Sequence, residues 1–433
     1  MESTLKLSHR LANAGALRVM SAASICAPDP RLRAAVMARE LTRRGLGRGS
    51  RLAAVLPNGP EFVALFLACL ELEITFVPLN PLTPPDELLR RRRVASTVGT
   101  WDLENGLHLE GAGLDSPLRE GRLLAVLLFT SGSEGEASPV ALSEAALLHV
   151  ADTHHGALGY GPGTRVVGFL PWSHAFGFTL ELLMALLHQG ALWSVPAADF
   201  PEVFANAKAD VLFAVPRMVE RLGSVPLRRL RGGIVGGAPV RGAVRRHLQE
   251  TALRIGYGQT ECGPGATLGE AGEWELDDFL GRPLGCEVVL RLARGETTEQ
   301  LFLRGENLAM GYASANQFLP VVGADGWRAS GDLATRSGEG FIFQGRKDEL
   351  FKLDNGRMVN PVPLELPYAG RILLIGEGRG AVQPLARDEM PSEFTLPVPH
   401  LPPKLMPEAF WAACTTVTGK VSRRRAQALF YQE

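Results

Sequence analysis

Between residues 326 and 361 the chain presents two glycine-punctuated turns that each deliver charged side chains. The first reads Gly326-Trp-Arg-Ala-Ser-Gly-Asp332 and the second Gly345-Arg346-Lys-Asp348, with a strand-like Gly340-Phe-Ile-Phe-Gln between them. This suits a groove in which Asp332 offers a carboxylate to neighbouring hydroxyls and Arg346 offers a guanidinium. A second constellation is Gly256-Tyr257-Gly258-Gln259-Thr260-Glu261. It supplies an aromatic face for stacking, a hydroxyl for a phosphate oxygen and a carboxylate, a hard ligand suited to Mg2+.

Four further stretches have the residue types of a binding site. Thr130-Ser131-Gly132-Ser133-Glu134-Gly135-Glu136 follows an apolar run, and its backbone N–H groups could wrap a phosphate chain. A plain Ser/Gly surface turn is the other reading; no Gly-Lys-Ser/Thr follows, so it is not the loop of P-loop NTPases. Gly232-Gly233-Ile-Val-Gly236-Gly237-Ala238-Pro239 either lets a flat group approach the backbone or makes a tight strand-to-helix turn. His174 stands among aromatics in Pro171-Trp172-Ser173-His174-Ala175-Phe176-Gly177-Phe178, where a lone histidine is commonly a packed core residue. Near the C-terminus, Thr418-Gly419-Lys420-Val-Ser-Arg423 reads by itself as the start of a basic helix.

Taken in order, these motifs resemble those of the adenylate-forming enzymes: acyl-CoA and acyl-ACP synthetases, luciferases and nonribosomal-peptide adenylation domains. Lys352-Leu-Asp-Asn-Gly356-Arg-Met-Val-Asn-Pro361 places the resemblance on the acyl or aryl carboxylate ligase branch. The resemblance covers the chain from about residue 50 to 425 and implies roles residue by residue. Thr130, Ser131, Gly132, Ser133 and Gly135 would bind phosphates; Gly237, Ala238, Pro239, Tyr257 and Gly258 would bind adenine and the acyl group. Thr260 would meet a phosphate oxygen and Glu261 the Mg2+ ion. His174 would sit beside the substrate carboxylate, Asp332 on the ribose hydroxyls, and Arg346 on ribose and phosphate. Asp348 matches a hinge, and Lys420 would bridge the carboxylate and the α-phosphate, where charge builds in the transition state.

The implied reaction consumes ATP with Mg2+, turns a small aryl or fatty carboxylic acid into an acyl-adenylate, and releases pyrophosphate. The acyl group would then pass to a phosphopantetheine thiol, that of CoA or of an acyl carrier protein. The pattern departs from the family in places. Ser138 stands where the family loop has a lysine, and the segment around His174 lacks the aspartate of amino-acid-activating members. The stretches 81–130 and 361–415 are also short. Amide or lactone formation, and a degenerate nucleotide- or acyl-binding scaffold, are the alternatives; an unrelated kinase-like enzyme would leave Lys420 without a role.

The elements that must position these residues read as α/β. The runs 52–56, 76–79, 123–129, 165–170, 211–215 and 233–235 alternate with helical stretches, predicting a layered core on a largely parallel sheet. A helix over 30–48 is expected with Leu32, Ala35, Val36, Ala38 and Leu41 on one face. After about residue 280 the texture becomes β-rich, and strands are expected near 371–375 and 381–385. The expected division is a large domain, 1–347, of layered α/β subdomains with a β-rich subdomain, and a small mobile α+β lid domain, 348–433, carrying Lys420.

Composition narrows the function classes. With 433 residues and a net charge of −1, nothing draws the chain as a whole toward nucleic acid. The arginine runs 90–93 and 228–229 are expected to be solvated helix faces. Five scattered cysteines (Cys26, Cys69, Cys262, Cys286, Cys414) argue against a disulfide framework and for a cytoplasmic setting. No apolar run reaches membrane-spanning length, since 62–72 is followed by Glu73. Lys6, His9, Arg10 and Arg18 make the N-terminus a poor signal peptide.

Overall fold

The computed structural model describes residues 6–14, 18–21, 29–109, 124–130, 137–223, 225–292, 299–315, 317–368, 371–387, 394–415 and 421–432. The chain divides into two compact units. One comprises Met1–Thr130, Ala137–Val288 and Leu303–Arg328, the other chiefly Val289–Phe302 and Ala329–Glu433.

Two sheets organise the first unit. In one, Arg51–Val55 pairs in parallel with Thr75–Leu79 and Gly99–Asp102, and Thr75–Leu79 pairs in parallel with Leu124–Phe129. Antiparallel pairs then extend it through Pro139–Ser143 to Gly311–Ala313 and Phe318–Pro320. All five residues of Thr75–Leu79 are buried. A strand covered on both faces has no solvent side, hence its continuous apolar run. The other sheet places Arg18–Ser21, Ala191–Ser194, Arg165–Gly168, Val211–Ala214, Gly232–Gly236 and Arg254–Tyr257 side by side in parallel. Thr267–Leu268 and Phe279–Pro283 finish this set antiparallel.

The helix expected over 30–48 runs Pro30–Arg43, capped by the Asp29 side chain, which accepts from the Arg31 N–H, with proline at its start. Its buried face is Pro30, Ala34, Met37, Ala38 and Leu41. Leu32, Ala35 and Val36 point to solvent, contrary to expectation. The small Ala34 and Ala38 let this helix lie close against helix Pro60–Glu71.

Strand Arg328–Ser337, which belongs to the second unit from Ala329 on, pairs antiparallel with Gly340–Arg346 and aligns Asp332 with Arg346. Glu299–Arg304 and Glu287–Leu292 continue that layer. The expected strand pair is Ile372–Ile375 with Gln383–Ala386, joined by Lys404–Leu405. Helices Glu408–Cys414 and Arg423–Tyr431 cover it around Leu373, Ile375, Leu385, Trp411, Cys414 and Ala426. The fold is therefore α/β, with a β-rich part and a small α+β part. Asp348 lies in the one-turn Lys347–Glu349 segment, inside the second unit.

Candidate active site

Chain direction gathers most of the candidate residues of the first unit. Parallel strands Arg165–Gly168, Val211–Ala214, Gly232–Gly236 and Arg254–Tyr257 are consecutive neighbours, so their carboxyl ends share one sheet edge. The turn bearing His174 follows the first, Gly237-Ala238-Pro239 the third, and Gly258 to Glu261 the fourth. Crevices at the carboxyl ends of parallel strands are where open α/β sheets bind ligands. Gly237 holds a φ of +78°, a conformation an L side chain resists. At Gly258 a Cβ would fall 1.2 Å from the Pro264 carbonyl oxygen, so only glycine fits beside that backbone.

Thr260 and Glu261 lie in a single 3-10 turn, Thr260–Cys262, packed against strand Pro139–Ser143. Just before that strand, the Ser138 N–H donates to the Thr130 hydroxyl at 3.1 Å and the Thr130 N–H to the Ser138 carbonyl at 3.0 Å. This reciprocal clamp closes the base of the Ser/Gly motif. Ser131, Gly132, Ser133, Gly135 and Glu134 themselves lie outside the described residues, as does Lys420.

Glu261 is anchored on one oxygen. Its Oε1 accepts from the Tyr312 hydroxyl at 2.6 Å and pairs with Arg328 Nη2 at 3.0 Å. Arg328 also donates to Gln259 Oε1 at 3.2 Å and to the Tyr312 oxygen at 3.4 Å. The pair is largely enclosed, with 8% of the arginine and 12% of the glutamate side chain exposed. Burial raises the Tyr312 phenol and the Glu261 charge adds to it, so the hydroxyl stays a donor. Among the described residues no group of three or more His, Cys, Asp or Glu is arranged to hold a metal. One hard oxygen on Glu261 fits a Mg2+ carried chiefly by phosphates rather than by a protein cage.

The His174 turn is built from buried polar groups. The His174 N–H returns to the Pro171 carbonyl at 3.0 Å, and the His174 carbonyl accepts from Phe178 at 2.8 Å. Phe176–Leu183 then winds as a π-helix, a form that recurs at functional sites. Asn58 receives the Trp172 N–H at 3.0 Å and donates to the Leu170 carbonyl at 2.8 Å. From the other side, fully buried Glu181 accepts the Trp172 indole N–H at 3.0 Å and the Leu170 N–H at 3.4 Å. Asn58 and Glu181 thus hold the turn, and neither carries a sequence signal. Loss of solvation pushes His174 down to about 4, with the Arg91 charge adding to the effect, so its imidazole is neutral at physiological pH.

Trp172 and Phe178 are core residues. They pack edge-on against Phe62 and Phe66, with centroids 5.4 and 5.1 Å apart, and both are fully buried. Of the three aromatics flanking His174, Phe176 alone is partly exposed; it meets Phe213 edge-on at 6.4 Å.

Burial pushes Glu181 up to about 8, against the N–H donors facing it. A carboxyl raised from its ordinary value near 4.5 favours the fold fully below that value and progressively less as pH climbs to about 8. Glu181→Gln cannot ionise. It should flatten the dependence of unfolding free energy on pH between about 5.5 and 8.5 by about 3 kcal/mol. Urea titrations of both proteins at the two pH values test this; parallel pH profiles would mean that Glu181 stays ionised.

In the second unit the structure brings Asp332, Arg346 and Asp348 into one network. Asp332 is 4% exposed and accepts from Arg346 Nη1 at 3.1 Å. Arg346 forks onto Asp348 through Nε at 2.8 Å and Nη2 at 3.1 Å. Burial opposes the Arg346 charge, but Asp348 and Asp332 outweigh it and hold the guanidinium above its ordinary range. Arg346 is therefore a fixed cation between two carboxylates.

The fold and these motifs define a nucleotide-binding α/β enzyme of the adenylate-forming class. The AMP-binding enzyme family matches residues 29–99 and 112–313, and the chain belongs to that family. It is 29% identical over 377 residues to novobiocin biosynthesis protein H of Streptomyces niveus, a match covering 75% of this chain and 62% of that protein. It is 26% identical over 375 residues to a feruloyl-CoA synthase of an Amycolatopsis species, covering 77% and 75%. Among solved structures, ATP-bound MatB from Rhodopseudomonas palustris superposes with a TM-score of 0.80 at 20% identity over 99% of both chains. The o-succinylbenzoate CoA synthetase MenE from Bacillus subtilis, in complex with its acyl-adenylate intermediate, gives 0.78 at 17% over 97% of both. At such identities the structural matches speak for the fold.

Proposed function

We propose that this protein uses ATP to convert a small carboxylic acid into an acyl-adenylate and then transfers the acyl group to a phosphopantetheine thiol. The observation that carries the reading is the shared carboxyl edge of four parallel strands, three of which are followed by the His174 turn, the 237–239 turn and Thr260–Glu261. A neutral imidazole can hydrogen-bond a carboxylate nucleophile without neutralising it. The free oxygen of Glu261 would hold Mg2+, which screens the triphosphate. Asp332 would take the ribose hydroxyls, with Arg346 beside it, and Lys420 would stabilise charge on the reacting oxygens. Asp348 would serve as the hinge between half-reactions. AMP replaces oxide as the leaving group, which makes the second step feasible.

The acid is aryl or fatty, and the acceptor is CoA or a carrier protein. Relatives at 26% and 25% identity include a feruloyl-CoA synthase and a nonribosomal peptide synthetase, which keeps both acceptors in view. Cys69, Cys262, Cys286 and Cys414 are free thiols, in keeping with a cytoplasmic setting. No helix among the described residues is long and apolar enough to cross a membrane. The test is pyrophosphate release with Mg·ATP across aryl, short-chain and long-chain acids, with hydroxylamine trapping of the adenylate. A responding acid supports the reading. Silence across the panel with ATP binding intact would favour the scaffold reading, which Ser138 motivates.

Ser138→Lys bears on the same point. Its backbone clamp to Thr130 uses no side-chain atom of residue 138, so the change should leave the fold intact. It is expected to tighten ATP binding by about threefold, as one added charge near phosphate contributes well under about 1.4 kcal/mol when solvated. Loss of ATP binding in calorimetry would mean that the loop serves another ligand.

A further inference from the structure

The arginine run on helix Pro85–Ala95 is not a solvated face throughout. Arg93 is exposed, but only 11% of the Arg91 side chain is. The Arg91 guanidinium lies 5.3 Å from the ring centroid of Phe129, the last residue of its strand and the one before Thr130. Its Nε donates to Glu87 Oε1 at 2.7 Å. Arg90 takes the same carboxylate through Nε at 2.7 Å and Nη2 at 2.8 Å. One negative charge is therefore divided between two guanidiniums, and the terminal nitrogens of Arg91 have no partner among the described residues. Withdrawing a cation from water with half a counter-ion is costly, and the cost is recovered when an anion completes the pair. The place is the carboxyl end of a parallel strand, beside the Thr130–Ser138 clamp, whose Ser138 brings no charge of its own.

We infer that Arg91 binds the polyphosphate of the nucleotide, presenting its terminal nitrogens to phosphate oxygens at the base of the Thr130 loop. The inference rests on the ligase reading of this site. Its mode is the charge-assisted, forked contact that guanidinium makes with phosphate. It also accounts for a basic residue turned inward in a run whose neighbour Arg93 faces solvent.

The experiment measures ATP and inorganic pyrophosphate binding by calorimetry, without any acid, in wild type, Arg91→Gln, Arg91→Lys, Glu87→Gln and Arg93→Gln. Arg91→Gln should weaken both ligands about tenfold, and Arg91→Lys should keep most of the affinity. Glu87→Gln frees the shared charge and should tighten both ligands, while Arg93→Gln should change neither. Thermal melts identify a variant that fails to fold, and Glu87→Gln then decides: no tightening overturns the assignment. A folded Arg91→Gln with unchanged ATP and pyrophosphate affinities also overturns it, leaving Arg91 as a staple on Phe129. If that variant instead raises only the KM of a responding acid, the oxyanion is the acid's carboxylate and the assignment fails. Because binding is read without acid, silence of the acid panel would refute the ligase reading and leave this result standing.

Discussion

Lys420→Ala is expected to lower acid-dependent adenylate formation by about 10²–10³-fold, the scale of removing one donor aimed at developing charge. ATP binding should stay within a factor of about two, because an interaction realised in the transition state adds little to ground-state affinity. The flanks of Lys420 give the substitution little to disturb. Thr415 and Val421 form an antiparallel bridge, and the Ser422 N–H donates to the Cys414 carbonyl at 2.9 Å. Ser422 caps the last helix by accepting from the Arg425 N–H at 3.3 Å, and Arg423 is tied to Glu365 and the Leu374 carbonyl. Both sides of the segment are thus held within the second unit by groups other than the lysine. Hydroxylamine trapping reports the adenylate and calorimetry the nucleotide. Near-normal adenylation in the variant would remove Lys420 from the mechanism.

Local sequence carries information that local structure uses. Strands 51–55, 75–79 and 124–129 are legible because burial on both faces leaves unbroken apolar runs. The closeness of Asp332 and Arg346 is legible because a hairpin needs no distant partner, but the two turns read around one short strand are in fact two paired strands, Arg328–Ser337 and Gly340–Arg346, turning at 338–339. What is not legible depends on residues far apart in the chain. The stretch around His174 does not say which of its aromatics are core: Phe62, Phe66 and Phe76, about a hundred residues earlier, enclose Trp172 and Phe178. Leu32 and Val36 are larger than Ala34 and Ala38, yet close approach of a second helix selects the smaller pair for the inside. A run of four arginines does not say which one turns inward, and Glu181 in an apolar helix does not announce its tryptophan. The motif around Glu261 points to a metal ligand but not to Arg328, the arginine that neutralises it from far along the chain.

That arginine carries the second large expectation. Arg328→Met should destabilise the nucleotide-free protein by about 3 kcal/mol, near the lower end for breaking an enclosed ion pair because Tyr312 still donates to Glu261. The loss is mainly the cost of leaving the Glu261 carboxylate enclosed without its cation. Glu261→Gln in the same background removes that charge, so the two changes should be non-additive by about 1–3 kcal/mol in urea unfolding. Additivity within about 0.5 kcal/mol would show that water already satisfies the carboxylate. The same variant tests the assignment of Glu261 to Mg2+. Arg328 occupies Oε1, so a divalent ion on the other oxygen would supply the counter-charge that methionine cannot. Mg·ATP should therefore stabilise Arg328→Met more than wild type at equal saturation, and the excess should vanish in the double variant. Equal stabilisation of both would place the ion elsewhere and leave Glu261 as the anchor of its turn.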